Sequence, residues 1–286
     1  MKQKFSLFSL INLFLMLCVV MITLYPFLYM LSVSLSGNTF VMKGAITWYP
    51  KGFNLDMYKL VFKDTRIMKG FLNTMMYTAL GTLISLTITA FGAYALTKKE
   101  MIFSKGFTLM VVITLFFSGG MIPTFLIIKS YGLLDTVWAM VLPGAVNSWN
   151  MLVMCTFFRG IPPELEESGR MDGCNDFGIA LRIVFPMSKA VFAAIGLFTA
   201  VGLWNDFFTP LLYLRDVNLF PLSVVLRNIM LAGQMSSEAT SGQGDVIVSE
   251  SLKYAVLMVS TLPILLLYPF MQKYFDKGVW VGSVKG

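Results

Sequence analysis

The chain has 286 residues, 57% hydrophobic and 13% charged, with a mean hydropathy of +0.74 and a formal net charge of +7. A soluble domain of this size carries about twice that charged fraction, so the balance is that of a membrane protein, and anionic headgroups account for the spread-out positive charge before nucleic acid does. The sequence has no histidine and only three cysteines, Cys18 and Cys155 in apolar runs and Cys174 in a polar one, which excludes histidine-based catalysis and the usual zinc sites and argues against a disulfide framework.

Six apolar runs are each long enough to cross a hydrocarbon core of about 30 Å: Leu10 to Val33, Phe71 to Leu96, Phe107 to Ile128, Thr136 to Phe158, Ala190 to Leu214 and Tyr254 to Met271. Backbone polar groups in lipid must be satisfied within the segment, so helices are expected. None of the runs alternates with period two, which argues against a β-barrel. The first run is uncharged from Phe5 past Val33. It exceeds a signal-peptide core and reads as a retained helix.

Between the first two runs, residues 34–70 hold Trp48, Tyr49, Pro50, Phe53 and Tyr58. The mixture suits an interfacial helix, a docking surface or an aromatic anchor at the headgroups. Six basic residues fall between Lys43 and Lys69. They are consistent with attraction of an acidic ligand, and equally with solubilising charge or contacts to another protein. In the second run Gly81, Ser85, Thr89 and Ala93 recur every four residues, a small-residue stripe that lets another helix approach. Gly119, Gly120 and Pro123 predict a kink or a shortened helix in the third run.

The fourth run holds Asn147, Ser148, Trp149, Asn150 and Met151. Amides and an indole at membrane depth suit either hydrogen bonding and stacking to a sugar or helix–helix hydrogen bonds. After it comes a charge-dense stretch, Pro162 to Pro186. Pro162 and Pro163 suit a helix start, where Glu164, Glu166 and Glu167 complement the dipole. Gly169 and Gly173 are expected to break or thin that helix, and Asn175 or Asp176 to cap a second one whose Phe177, Ala180, Leu181 and Val184 share a face. The result would be two short helices lying flat against the membrane surface, either a structural loop or a partner-docking one.

The fifth run contains Trp204, Asn205 and Asp206, the last a carboxylate well inside an apolar stretch and so a site candidate, unless it lies near the outer surface. Residues 215–253 follow, with Gly233 to Gly244 expected as a flexible surface loop. An even number of crossings puts both termini on one side. The short loop from Thr97 to Gly106 carries three basic residues and that from Lys129 to Asp135 one, which places the termini in the cytoplasm. The expected organisation is a cytoplasmic N-terminus at 1–9, a six-helix membrane domain at 10–275 with the charged loop at 160–188 and outer loops at 34–70 and 215–253, and a cytoplasmic tail at 276–286.

Glu167-Ser168-Gly169-Arg170-Met171-Asp172-Gly173, with Ile183-Val184-Phe185-Pro186 downstream, resembles the EAA motif of ABC importer permeases. Glu167, Asp172, Gly173 and Pro186 match that motif, while Ser168 and Gly169 replace its two alanines and Phe185 its leucine. Asn73-Thr74, Trp204-Asn205-Asp206-Phe207 and the ending from Lys277-Gly278 to Val284-Lys285-Gly286 look like the maltose-type sugar permeases. Phe117 to Thr124, Tyr131 to Thr136 and Leu142 to Ala145 look like the branch that imports aldouronate, rhamnogalacturonan and similar oligosaccharides.

The resemblance implies an all-α integral membrane protein of the six-helix type I ABC importer permease fold, with a cytoplasmic coupling helix, in a bacterial plasma membrane. It implies one non-catalytic permease subunit paired with a second homologous permease. Two copies of a cytoplasmic ABC ATPase would bind the ATP and Mg, and an extracellular solute-binding protein would deliver the sugar, with no cofactor held by this chain. Glu164, Glu166, Glu167, Ser168, Gly169, Asp172, Gly173, Phe177 and Pro186 would form the ATPase-coupling surface. Asn147, Trp149, Asn150, Trp204, Asn205 and Asp206 would line the substrate pathway, and the tail from Lys273 to Gly286 would add a second ATPase contact. No phosphate-binding Gly-x-x-x-x-Gly-Lys-Ser/Thr loop occurs, so the energy source is expected on another chain. The competing readings are a non-transporting membrane scaffold and a secondary transporter, the latter short of intramembrane acids and inverted repeats.

Overall fold

The structure is a computed structural model that describes residues 7–98, 100–239, 251–266 and 269. Every regular element among them is helical. In chain order these are α1 (Leu7–Ser34), α2 (Asn38–Met42), α3 (Asp56–Lys63), α4 (Thr65–Thr97), α5 (Ser104–Phe116), α6 (Met121–Ser130), α7 (Val137–Val141), α8 (Ser148–Arg159) and α9 (Pro163–Met171). Then come α10 (Asp176–Met187), α11 (Lys189–Trp204), α12 (Phe208–Tyr213), α13 (Leu222–Ala239) and α14 (Ser251–Leu266). The chain divides into two compact units, one holding residues up to Met68 with Val225–Pro263, the other Lys69–Val224 with the chain from Ile264 onward.

In the first unit α1 is 28 residues long, about 42 Å at 1.5 Å per residue, enough to cross with some tilt. Only Ser32, Val33 and Ser34 of it are buried. A helix this apolar and this exposed needs lipid or another chain around it. The aromatic segment behind it folds back on the helix end. The Trp48 ring meets Tyr25 edge-on at 4.9 Å, Ser32 Oγ donates to the Trp48 carbonyl at 3.2 Å, and Ser34 Oγ pairs with the Tyr58 hydroxyl at 2.8 Å. Two of the six basic residues in this region have carboxylate partners, Lys59 on Asp56 at 3.0 Å and Arg66 on Asp64 at 2.7 Å. The positive surface is therefore smaller than the sequence count implies.

The second unit is built along α4. Its small-residue stripe is a packing face, with Ser85, Thr89 and Ala93 buried. A side chain at Gly81 would meet Leu203 Cδ1 of α11 at 2.6 Å, and one at Gly92 would meet Met151 Cε of α8 at 2.9 Å. Ala90, Ala93 and Tyr94 join Met154, Phe158, Ile179, Val184 and Ile195 in one apolar core. Near its other end, Asn73 Nδ2 donates to the Asn218 and Phe220 carbonyls at 2.8 and 3.1 Å, and the Tyr77 hydroxyl to Leu219 O at 2.7 Å.

The expected spans divide into two kinds. α1 and α4 are uninterrupted and long and apolar enough to cross alone. The third run breaks at Phe117–Gly120, where α5 and α6 meet at 117°, and Gly120 takes φ +81°. The fourth run is not one helix: Pro143, Gly144 and the capping Asn147 separate α7 from α8. The fifth also stops early, at Trp204, and the chain restarts at Phe208 as a short helix, α12. The sixth is α14 as far as Leu266, and the remainder to Met271 lies outside the continuous described segment, as does the tail from Lys273. The flexible loop expected at Gly233 to Gly244 is a correction too, since α13 runs on to Ala239 and residues 240–244 lie outside the described set. Ser and Gln there are ordinary helix residues once a helix has been started upstream.

Candidate functional site

The charged stretch folds as a helix–turn–helix. α9 begins on Pro162 and Pro163, with Glu164 and Glu166 in its first turn and Arg170 in its last, the charge order that suits a helix dipole. It ends in a Schellman motif, Cys174 N–H to Gly169 O and Gly173 N–H to Arg170 O, both 3.0 Å. Gly173 supplies the left-handed residue this turn needs, with φ +81°. Asn175 caps α10 by accepting from Gly178 N–H at 2.8 Å, as its residue type predicts.

Gly169 does not break α9 as expected. It lies buried inside the helix, where an added Cβ would sit 2.6 Å from Ile183 Cδ1 and 3.4 Å from Ile179 Cγ1. It is the point at which α9 rests on α10. Within α10, residues Ala180–Val184 form a π-helical turn, closed by Phe185 N–H on Ala180 O. Phe177 stays largely exposed but lies parallel to the Phe91 ring at 5.3 Å. Phe185 sits among Phe91, Phe158 and Phe192 at centroid distances of 5.2, 5.9 and 5.2 Å.

Adjacent glutamates of α9 face different ways. Glu167 is exposed, with Ser168, Asp172 and Pro186 also open to solvent. Glu166 turns inward and pairs with Lys98, just beyond the end of α4. The Lys98 ammonium also lies 4.2 Å from the centre of the Tyr94 ring. Burial works against that ammonium, but Glu166 and Tyr94 together hold its pKa above the usual lysine value. Arg170 makes two exposed ties, to Glu100 and Asp176, both 3.3 Å. The Glu100 backbone amide first, and then the Arg170 guanidinium, holds the Glu100 carboxyl below its usual range. Lys98, Glu100, Arg159, Glu166, Glu167 and Arg170 line a cleft of about 360 Å³. Lys98, Tyr94 and Glu100 were not among the sequence candidates. The available signal was Tyr94 and Lys98 spaced i, i+4 at a helix end, on one face.

The second set of candidates lies where α8 begins and α11 ends. Asn147 caps α8, its Oδ1 accepting from Asn150 N–H at 3.0 Å. Asn150 Nδ2 reaches Thr199 Oγ1 of α11 at 3.5 Å. Trp149 is 66% exposed. Trp204 meets Phe71 edge-on at 5.9 Å. Asn205 Nδ2 turns back to Val201 O at 2.9 Å, and Asp206 accepts at 3.1 Å from the N–H of Thr209 in the first turn of α12. Asn147, Asn205 and Asp206 thus have local backbone partners, while Asn150 ties α8 to α11.

Apolar helices joined by a braced, charged helix–turn–helix are the make-up of a polytopic membrane subunit. Its relatives make that class specific. The polygalacturonan/rhamnogalacturonan transport system permease protein YtcP of Bacillus subtilis (strain 168) is 40% identical over 286 residues, covering 99% of this chain and 100% of that one. A bacterial ABC transporter crystal structure, from a system involved in the import of the acidic polysaccharide alginate, matches with a TM-score of 0.86 and 30% identity over 96% of this chain and 100% of that one. A chain of the bacterial alginate ABC transporter in complex with alginate pentasaccharide-bound periplasmic protein shares the fold, with a TM-score of 0.55 at 17% identity over 89% and 92%. No protein-family model matches the chain. This chain belongs to the permease subunits of ABC sugar transport systems.

Proposed function

We propose that the chain is one of two paired permeases in an ATP-driven importer of polysaccharide-derived, uronate-containing oligosaccharides. An extracellular binding protein delivers the sugar, and two cytoplasmic ATPase subunits hold ATP and Mg. The observation that carries the reading is α9, a capped helix with Glu167 directed outward and Glu166 braced inward. A docking helix must combine an exposed contact residue with a firm attachment to what it moves. The substrate class draws support from the acidic or uronic polysaccharides in the names of the relatives. Both termini then lie in the cytoplasm with the charged loop.

In this reading Glu164, Glu167, Ser168, Asp172 and Phe177 meet the ATPase, while Gly169, Gly173 and Pro186 set the shape of the loop. ATP-driven closure pushes α9 and favours the outward-open state, and sugar release favours the other. Trp149 offers a ring face to a sugar at the head of α8, with Asn150 at the α8–α11 contact and Trp204 at the end of α11. Capping leaves Asn147, Asn205 and Asp206 spare acceptor lone pairs for hydroxyls.

The test is ATP hydrolysis by the complex in lipid, with and without oligogalacturonate-loaded binding protein, for wild type and Glu167→Lys. Stimulation in wild type, lost in an assembled Glu167→Lys complex, is the expected result. Absence of an associated ATPase, or a variant indistinguishable from wild type, would sink the coupling role.

A further inference from the structure

α9 contributes no side chain to the apolar core that joins α4, α8, α10 and α11. A load applied to it must leave through few contacts. One is the seat of Gly169 on Ile179 and Ile183 of α10. Two side chains of α9, Glu166 and Arg170, add ionic ties, and these differ in quality. Arg170 is 46% exposed and its partners Glu100 and Asp176 are 67% and 66% exposed; such pairs hold little against water. Lys98 and Glu166 are only 12% and 25% exposed. Their attraction is less screened, and an unpaired partner left behind would be costly.

The sheltered pair has a backing. Tyr94, one turn before Lys98, carries its ring under the ammonium, and Tyr94 is itself a member of the buried core. Its ring also lies 6.4 Å from Phe185. The chain of contact therefore runs from α9 through Glu166, Lys98 and Tyr94 into the core, and along the 33-residue α4. Successive helix residues point about 100° apart, so one glutamate can face outward while its neighbour holds the helix to the bundle.

We propose that Lys98 is a positioning residue for energy coupling: with Glu166 and Tyr94 it fastens α9 to the end of α4, so that displacement of α9 is delivered to that helix. This rests on the importer reading above. It predicts that the pair stays closed throughout the transport cycle, and it separates the two glutamates by role, Glu167 for contact and Glu166 for transmission.

The experiment uses the full complex in proteoliposomes with oligogalacturonate-loaded binding protein, reading sugar imported per ATP hydrolysed. Lys98→Met should lower that ratio by roughly fivefold or more, the lower end of ordinary coupling between sites. Lys98→Arg should keep it, and the reversal Lys98→Glu with Glu166→Lys should recover much of it. A Lys98→Met complex with the wild-type ratio overturns the proposal. Should Lys98→Met fail to assemble, cysteines replace Lys98 and Glu166 in a chain whose own three cysteines are removed, and a short bis-maleimide joins them after assembly. Transport that survives the bridge supports a pair that moves as one, and transport abolished by it overturns the idea. A wild-type complex that loaded binding protein does not stimulate would instead defeat the importer reading itself.

Discussion

Asp135 holds two distant stretches of chain together with one carboxylate. Its own N–H donates to Tyr213 O at 3.0 Å, and its Oδ1 accepts from the backbone of Arg215 and, at 2.9 Å, of Asp216. It takes φ +57°, a left-handed conformation that aspartate tolerates better than most residues. The Arg215 amide first, then that of Asp216, holds the carboxyl below the usual aspartate range. A lowered pKa means stability that is present above the ordinary value and is lost as pH falls through and below it. Asp135→Asn should therefore melt earlier than wild type at neutral pH, with the difference closing below about pH 4; thermal melting of the detergent-purified complex across pH measures it. The same scale shows what a sequence conceals. Asn175 was legible as a cap because the signal is local. The clamp of Asp135 on Arg215 spans 80 positions and leaves no local trace. Asp206 and Asn147 stood out as polar residues in apolar runs, and a side chain that bonds its own backbone and a sugar ligand look alike at that level.

At the scale of elements, α9 depends on a residue that composition reads as a weakness. Glycine costs a helix interior about 1 kcal/mol relative to alanine, yet Gly169 is what lets α9 reach α10. Gly169→Ala should be accepted, since the nearest atom to the new Cβ is the mobile end of Ile183. Gly169→Leu should separate the two helices and abolish stimulated ATPase; size-exclusion assembly and ATPase assays on both variants check this. The start and end of α9, the cap of α10 and the bend near Gly119 and Gly120 were all readable from residue types with known dihedral preferences. The breaks at 142–147 and 205–207 were not. Hydropathy counts apolar residues along the chain but carries no direction, so a helix that stops, turns and restarts still sums to one span. The error at 233–239 has the opposite origin, a polar composition read as a loop where a helix continues.

For the whole molecule, orientation in the membrane is the property on which the proposed function depends. Met171, in the charged turn, is 89% exposed, and Tyr49, in the aromatic segment after α1, is 61% exposed. Met171→Cys should react with a membrane-impermeant maleimide only from the cytoplasmic face and Tyr49→Cys only from the outer face, in a background without the native cysteines. Labelling of both from one side would reverse or refute the topology. The purified chain alone should hydrolyse no ATP, because it has no phosphate-binding loop of its own; a phosphate-release assay before and after adding the ATPase partner tests this. Fold class was legible because hydropathy and one dense charged motif both act on scales longer than any local ambiguity. α1, of which only Ser32, Val33 and Ser34 are buried among the described residues, presents an apolar surface for lipid or another subunit to cover.

The π turn of α10 sets a rule of length. Its five residues, closed by the Phe185 amide on Ala180 O, loop one extra residue into the helix. Everything downstream is thereby rotated by about 100° relative to an unbroken α-helix. Phe185 meets Phe91, Phe158 and Phe192 only with that offset in place. Connections between membrane helices ordinarily gain and lose residues with little consequence. Here a single deletion between Ala180 and Val184 would keep every remaining side chain and still bring the loop to the bundle out of phase.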